Sequence, residues 1–275
     1  MSRVLLLSLL SGCNLVFPLA PEPLPPTDGS IGSVVCPEPG VAPQYASELI
    51  TRVSTCAEYT EDLDGRGMAA CEDSFAEIPA DDASFTTIST FASNPQFRYQ
   101  QPRLAPEGGQ LFMILKEDLT APTLQTSIKS GTRWGEPILM TSPSDPDLLN
   151  GLVGVGTPTV GPMRRMMINV AGDLHEVTVS NFEVTAVQTY TMKDLGITFV
   201  QAPNLTSDGL RAVAEGLLET GDPRVFYFER ASVAARFGTP VVLDSAPVSN
   251  DLFMTSNCAR LYAGSVGQVL FARQL

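Results

Sequence analysis

Pro203-Asn-Leu-Thr-Ser-Asp208-Gly209-Leu-Arg-Ala-Val213 runs as a short apolar strand, a polar Asp-Gly turn and a second apolar strand, the pattern of a tight hairpin. The pattern recurs as Pro102-Arg-Leu-Ala-Pro-Glu-Gly108-Gly-Gln-Leu-Phe112 and as Asp251-Leu-Phe-Met-Thr-Ser-Asn257-Cys258-Ala-Arg-Leu-Tyr262. Pro158-Thr-Val-Gly-Pro-Met-Arg-Arg-Met-Met-Ile168 reads as a degenerate copy. A third strand follows in three copies: Leu174 to Ser180, Val225 to Arg230 and Gln268 to Arg273.

A second element keeps step with the hairpins. Phe85-Thr-Thr-Ile-Ser-Thr-Phe-Ala-Ser93 aligns with Trp134-Gly-Glu-Pro-Ile-Leu-Met-Thr-Ser142 and with Phe237-Gly-Thr-Pro-Val-Val-Leu-Asp-Ser245, and a fainter copy starts at Phe182. Several short strands in each period of roughly 40 to 50 residues is the mark of a β-propeller. Phe85, Trp134, Phe182 and Phe237 then read as packing residues between blades, and Asp208 and Gly209 as turn residues. The hairpins and aromatic-led strands of residues 85–275 resemble the PD40 or TolB-like (WD40-like) propeller repeats of bacterial envelope proteins. That resemblance implies an architecture and no chemistry.

The expected fold is all-β: a small propeller of about four blades, with a fifth possible in residues 40–84, and a β-sandwich as the alternative. The last unit ends at Leu275 without an aromatic-led strand, so residues 85–91 are expected to complete the last blade and close the ring. Val41 to Cys56 reads as a short helix with Tyr45, Leu49, Ile50 and Val53 on one face. Gly154-Val-Gly156-Thr-Pro-Thr-Val-Gly161 reads as an inter-blade loop.

The segment before the repeats carries export signals. Met1 to Arg3 is a positive start, Val4 to Leu10 is apolar, and Leu10-Ser11-Gly12-Cys13 follows. The apolar run is too short to cross a bilayer core of about 30 Å. Its layout is that of an export signal over residues 1–12. Leu-Ser-Gly-Cys resembles the lipobox of bacterial lipoproteins, which implies lipidation of Cys13, a membrane partner through that lipid, and a place in the cell envelope, at the outer membrane. Residues 13–35 hold Pro18, Pro21, Pro23, Pro25 and Pro26, the composition of an extended tether.

Residues 36–84 form a Cys-bounded segment. In an exported chain Cys36, Cys56, Cys71 and Cys258 are candidates for two disulfides, with three pairings open. Cys56 to Asp73 resembles an acidic Asp/Gly element of myxobacterial-type surface proteins, which would make Asp62, Asp64 and Asp73 cation ligands. Arg66 and Ala70 stand where acids belong, so no metal is expected; an Asp/Gly turn closed by a Cys56–Cys71 disulfide is the preferred reading.

Chemistry is sparse. A net charge of −13 repels phosphate backbones and argues against nucleic acid. The single histidine, His175, has no Gly-x-Ser-x-Gly nucleophile to serve, and no zinc-binding motif exists. No cofactor and no catalytic residue is expected. Two functions follow: a non-enzymatic, lipid-anchored module that binds or scaffolds an envelope protein or glycan, or a carbohydrate-active hydrolase using two of Asp145, Asp147, Asp208, Glu215, Asp222 and Asp251.

Overall fold

A computed structural model describes residues 36–71, 74–80, 86–88, 97–117, 120–201, 203–249, 251–265 and 267–275. Cys13, the segments 1–12 and 13–35, Asp73 and Phe85 lie outside these residues.

A short strand, β1 (Ile50–Val53), precedes a first sheet of β2 (Cys56–Glu61), β3 (Gly67–Cys71), β4 (Ser74–Ile78) and β5 (Thr86–Ile88). The second sheet holds β6 (Phe97–Leu104), β7 (Gln110–Glu117) and β8 (Thr123–Ser130), with β9 (Arg133–Trp134) and β10 (Ile138–Leu139) both pairing with β8. The third is β11 (Leu152–Val155), β12 (Arg164–Val170), β13 (Asp173–Ser180) and β14 (Glu183–Tyr190), followed by the single turn α1 (Met192–Leu195). The fourth has β15 (Phe199–Val200) and β16 (Asn204–Leu205) on one edge, then β17 (Arg211–Leu217), β18 (Pro223–Glu229) and β19 (Val241–Val242). The fifth is β20 (Asp251–Met254), β21 (Arg260–Ser265) and β22 (Gln268–Arg273), and its edge is taken by β1.

This is a five-bladed β-propeller. Five separate apolar clusters fill its core, and each lies at one junction between neighbouring blades. Phe112, Leu124, Ile168 and Val177 join the second blade to the third; Tyr190, Ala212, Phe226 and Phe237 join the third to the fourth. Val213, Tyr227, Leu252 and Leu261 join the fourth to the fifth. Val53, Tyr59, Ile78, Tyr262 and Phe271 join the fifth back to the first, so the ring is closed. Met68, Phe75, Leu111, Met113 and Trp134 complete the circuit. Inner strands are covered on both faces by neighbouring blades, as in Asp251–Met254, buried throughout. An outer strand such as Glu183–Tyr190 is largely exposed, with only Val184 and Tyr190 buried.

The blade number is the larger of the two expected, and the β-sandwich alternative falls with the closed ring. The closing strand differs from expectation. Thr86–Ile88 pairs with Ser74–Ile78 as the outer strand of the first blade, and Ile50–Val53 pairs antiparallel with Gln268–Arg273 instead. The physical reason is that residues 56–88 form a blade of their own and need their aromatic-led strand for it. Ile50–Val53 and the strands from Cys56 to Ile78 are therefore part of the ring and not a separate segment. No helix forms over residues 41–56: Ala46 N–H donates to the Arg273 carbonyl and Leu275 N–H to that of Gln44, so the stretch extends the closing strand. The Gly-rich run 154–161 likewise is the end of β11 and its hairpin turn; a Cβ at Gly156 would overlap the Pro203 carbonyl of the next blade.

Both disulfides are present. Cys56 and Cys71 face each other across β2 and β3. Cys36 bonds Cys258, whose φ of 62° places a Cys where the fourth blade's turn has Gly209 (φ 69°). A side chain in that conformation is strained, and here it carries the covalent link between the start of the described chain and the last blade.

Candidate binding faces

Each inner strand crosses the ring and turns back on one face, here the hairpin face, through residues 62–66, 105–109, 156–163, 206–210 and 255–259. Links between blades, at 140–151, 191–198 and 243–249, lie on the opposite, connection face.

Two of the hairpin turns repeat bond for bond. Thr206 Oγ1 accepts the Arg211 N–H at 3.1 Å and donates to Asp208 Oδ1 at 2.6 Å. Thr255 Oγ1 accepts the Arg260 N–H at 3.1 Å and bonds Asn257 Oδ1 at 2.8 Å. Asp62 Oδ1 braces the first turn by accepting from the N–H groups of Asp64 and Arg66, both at 2.9 Å. Burial pushes the Asp62 carboxyl up and those two N–H groups oppose it. Asp64 instead pairs with Arg66 at 3.8 Å. Asp62 and Asp64 thus serve the turn, and no group of three potential metal-ligating side chains occurs among the described residues.

Polar side chains fill the axis. Arg103 of the second blade pairs with Asp251 of the fifth, both buried, and its Nε donates to the Val155 carbonyl of the third at 2.8 Å. Asp251 Oδ2 accepts the Tyr59 N–H of the first blade at 2.9 Å. Asn204 of the fourth accepts from Thr157 N–H and Oγ1 at 3.1 and 3.0 Å and donates to the Leu252 carbonyl. All five inner strands are joined by this belt. Sequence reasoning missed it, although Arg103 and Asn204 occupy the same place in their Pro-x-Leu strands, which was the available signal.

Above the belt the hairpin face has two depressions. A funnel of about 250 Å³ lies between Leu63, Pro106, Pro158, Leu205, Phe253 and Glu61. Burial pushes the Glu61 carboxyl up, against the hydroxyls of Tyr262 and Tyr59 and the charges of Arg260 and Arg52, which pull it down. A groove of about 770 Å³ lies between the first two blades, among Asp64, Arg66, Glu77, Glu107, Lys129 and Trp134. That volume is within the range of ligand sites. Trp134 itself is only 7% exposed and its indole N–H donates to Glu77 at 2.9 Å, so its ring is blade packing and no stacking platform. Phe237 is packed likewise, under the Arg230 guanidinium at 4.4 Å. Arg230 and Glu176 form a second buried ion pair, between the third and fourth blades, at 2.8 Å. Phe182 is half-buried in the turn before β14.

The loop carboxylates do not converge. Asp251 is in the axis, Asp208 caps a hairpin turn, and Glu215 lies on β17 facing the Ser249 amide. Asp145 and Asp147 are exposed side by side on one inter-blade link, where the Asp147 N–H donates to Asp145 Oδ1 at 3.3 Å, and Asp222 is exposed on the turn between β17 and β18. His175 is a half-buried strand residue bonded to Thr189 Oγ1 at 3.2 Å, and burial pushes its pKa down despite Asp173 and Asp145. No helix among the described residues is long and apolar enough to cross a membrane.

The sheet order and the filled axis thus define a closed five-bladed propeller with two faces. No protein-family model and no curated protein matches the sequence. Solved structures similar to it include a functionally unknown protein from Desulfotomaculum acetoxidans, at 10% identity over 75% of this chain and 62% of that one (TM-score 0.47). TolB from Acinetobacter baumannii matches at 10% identity over 82% of this chain and 54% of that one (TM-score 0.47). A gluconolactonase from Xanthomonas campestris matches at 9% identity over 79% and 71% (TM-score 0.47). The chain spans 62% and 54% of the length of the first two. The propeller assignment rests on the sheet order itself and takes nothing from these likenesses.

Proposed function

We propose that the protein is a lipid-anchored, non-enzymatic module of the bacterial cell envelope that holds a protein or glycan partner against a rigid propeller face. The observation that supports this reading is the axis. The space where a propeller's channel would run is occupied by Arg103, Asp251, Asn204 and Thr157, each bonded to a neighbouring blade. What remains for a partner is surface carried on braced turns, so little ordering entropy is lost on binding.

The test is photo-crosslinking of the full-length protein in its host, with probes on both faces, beside the Cys13→Ser variant. Capture of one abundant envelope protein or polysaccharide, with Cys13→Ser lost from membranes, supports the reading. Hydrolysis of a polysaccharide that a single Asp→Asn or Glu→Gln change abolishes would replace it with the hydrolase.

A further inference from the structure

We propose that the hairpin face is the membrane-facing side of the molecule and rests against the lipid bilayer, with Leu63, Val160, Met163 and Val233 seated among the headgroups. The inference deepens the reading above by naming which face the bilayer covers.

Three observations carry it. The first is apolar exposure on a braced frame. Leu63, Val160, Met163 and Val233 are 45, 43, 68 and 38% exposed, at the tips of loops on this face. None of these loops is slack: Leu63 N–H donates to the Pro106 carbonyl, Val160 N–H to that of Ser207, and Arg165 holds the Val233 carbonyl at 2.9 Å. Glu107 reaches across from the second blade to bind the Gly161 N–H at 2.8 Å and Arg164 at 3.2 Å, fixing the loop that projects Met163. Held out rigidly, an apolar tip has no route to self-burial and gains by entering an apolar medium.

The second observation is charge. Three carboxylates on hairpin turns have an arginine partner, Asp64 with Arg66, Glu107 with Arg164 and Asp208 with Arg211, and Asp62 beside them is met by the N–H groups of its own turn. Among the described residues Asp145, Asp147, Asp173, Glu219, Asp222 and Asp244, on or beside loops of the connection face, have no ion-pair partner. The six residues of β2 span about 20 Å from face to face. That is more than two Debye lengths at physiological salt, each about 8 Å. A bilayer at the hairpin face therefore meets a nearly neutral surface, although the whole chain is at −13.

The third observation is where the remaining chain enters. Cys36 is bonded to Cys258 in the fifth hairpin turn, and Arg211 holds the Pro37 carbonyl at 3.2 Å on the same face. The described chain therefore begins at the rim of the hairpin face, so a membrane anchor attached upstream of Cys36 would draw that face toward its membrane.

The experiment supplies the anchor chemically, so that it does not depend on lipidation in the host. Residues 1–13 are replaced by a hexahistidine tag, and the protein is held on vesicles of phosphatidylethanolamine and phosphatidylglycerol containing a nickel-chelating lipid. An environment-sensitive nitrobenzoxadiazole dye is placed on Met163→Cys or, for the opposite face, on Asp222→Cys. A blue shift and several-fold weaker iodide quenching at position 163 alone, reduced by Glu107→Ala, are the expected result. Equal exposure at both positions, or protection at 222 in place of 163, overturns the proposal. Loss of membrane attachment of the native protein on Cys13→Ser tests the anchor separately, so the two readings fail independently.

Discussion

Arg103 passes over the inner strand of the first blade to reach Asp251 of the fifth, so one buried ion pair ties together blades that do not adjoin. Each partner has further bonds, from Arg103 to the Val155 carbonyl and from the Tyr59 amide to Asp251. Removing one partner leaves a buried charge with nothing to balance it, and such changes cost about 3–5 kcal/mol. Arg103→Met and Asp251→Leu should each lower stability by that much in urea unfolding. The double variant should recover most of the loss, and a double variant as unstable as the sum of the two would show that the belt's remaining bonds matter more than its charge.

The Cys36–Cys258 bond closes a loop with a sequence separation of 222, against 15 for Cys56–Cys71. By the chain-entropy argument the longer loop stabilises by roughly 5.4 kcal/mol and the shorter by roughly 3. Cys36→Ser should therefore destabilise more than Cys71→Ser. It should also speed amide exchange selectively in residues 44–53, because those residues close the ring by pairing with the last strand and lie just past the bond.

Ring closure also depends on one missing side chain. Gly264 on β21 faces the first blade, and a Cβ there would overlap the carbonyl oxygen of Ala57. Neither backbone can yield without parting the first and fifth blades. Gly264→Ala should cost about 3 kcal/mol or more, at the upper end for overpacking. Gly109→Ala, with nothing within 4 Å of its Cβ, should leave the melting temperature nearly unchanged.

The sequence exposes those parts of the ring where neighbouring copies share turn chemistry. Thr206-Ser-Asp-Gly and Thr255-Ser-Asn-Cys fold with the same hydrogen bonds, and the aromatic-led segments are indeed outer strands. The first blade was hidden because its turn, Asp62-Leu-Asp-Gly-Arg, braces itself through Asp62 and lacks the Thr-Ser signature. Closure was misplaced for a related reason. An edge strand pairs on one side only, so Ile50–Val53, the mixed run Ile-Thr-Arg-Val, needs no repeat pattern of its own. The matching places of Arg103 and Asn204 hint at the belt, but Arg103 and Asp251 are far apart in the chain, and only the closed ring shows that the two meet.

Glu61 gives a pH test of the junction between the first and last blades. Its carboxyl is raised above the usual 4.5 chiefly by burial, with Tyr262, Arg260, Tyr59 and Arg52 opposing. The folded state therefore holds this proton more tightly than the unfolded chain does. Stability from this group falls as pH rises from about the unfolded value through the folded one, and the penalty is constant above both. Glu61→Gln keeps an oxygen that can accept from Tyr59 and Tyr262 but removes the buried charge. Its melting temperature should exceed that of the parent near pH 8, and the gap should close as pH falls toward 4. A gap of the opposite sign at pH 8 would mean that Arg52 and Arg260 outweigh the burial, and that the ionised carboxylate helps to hold the ring shut.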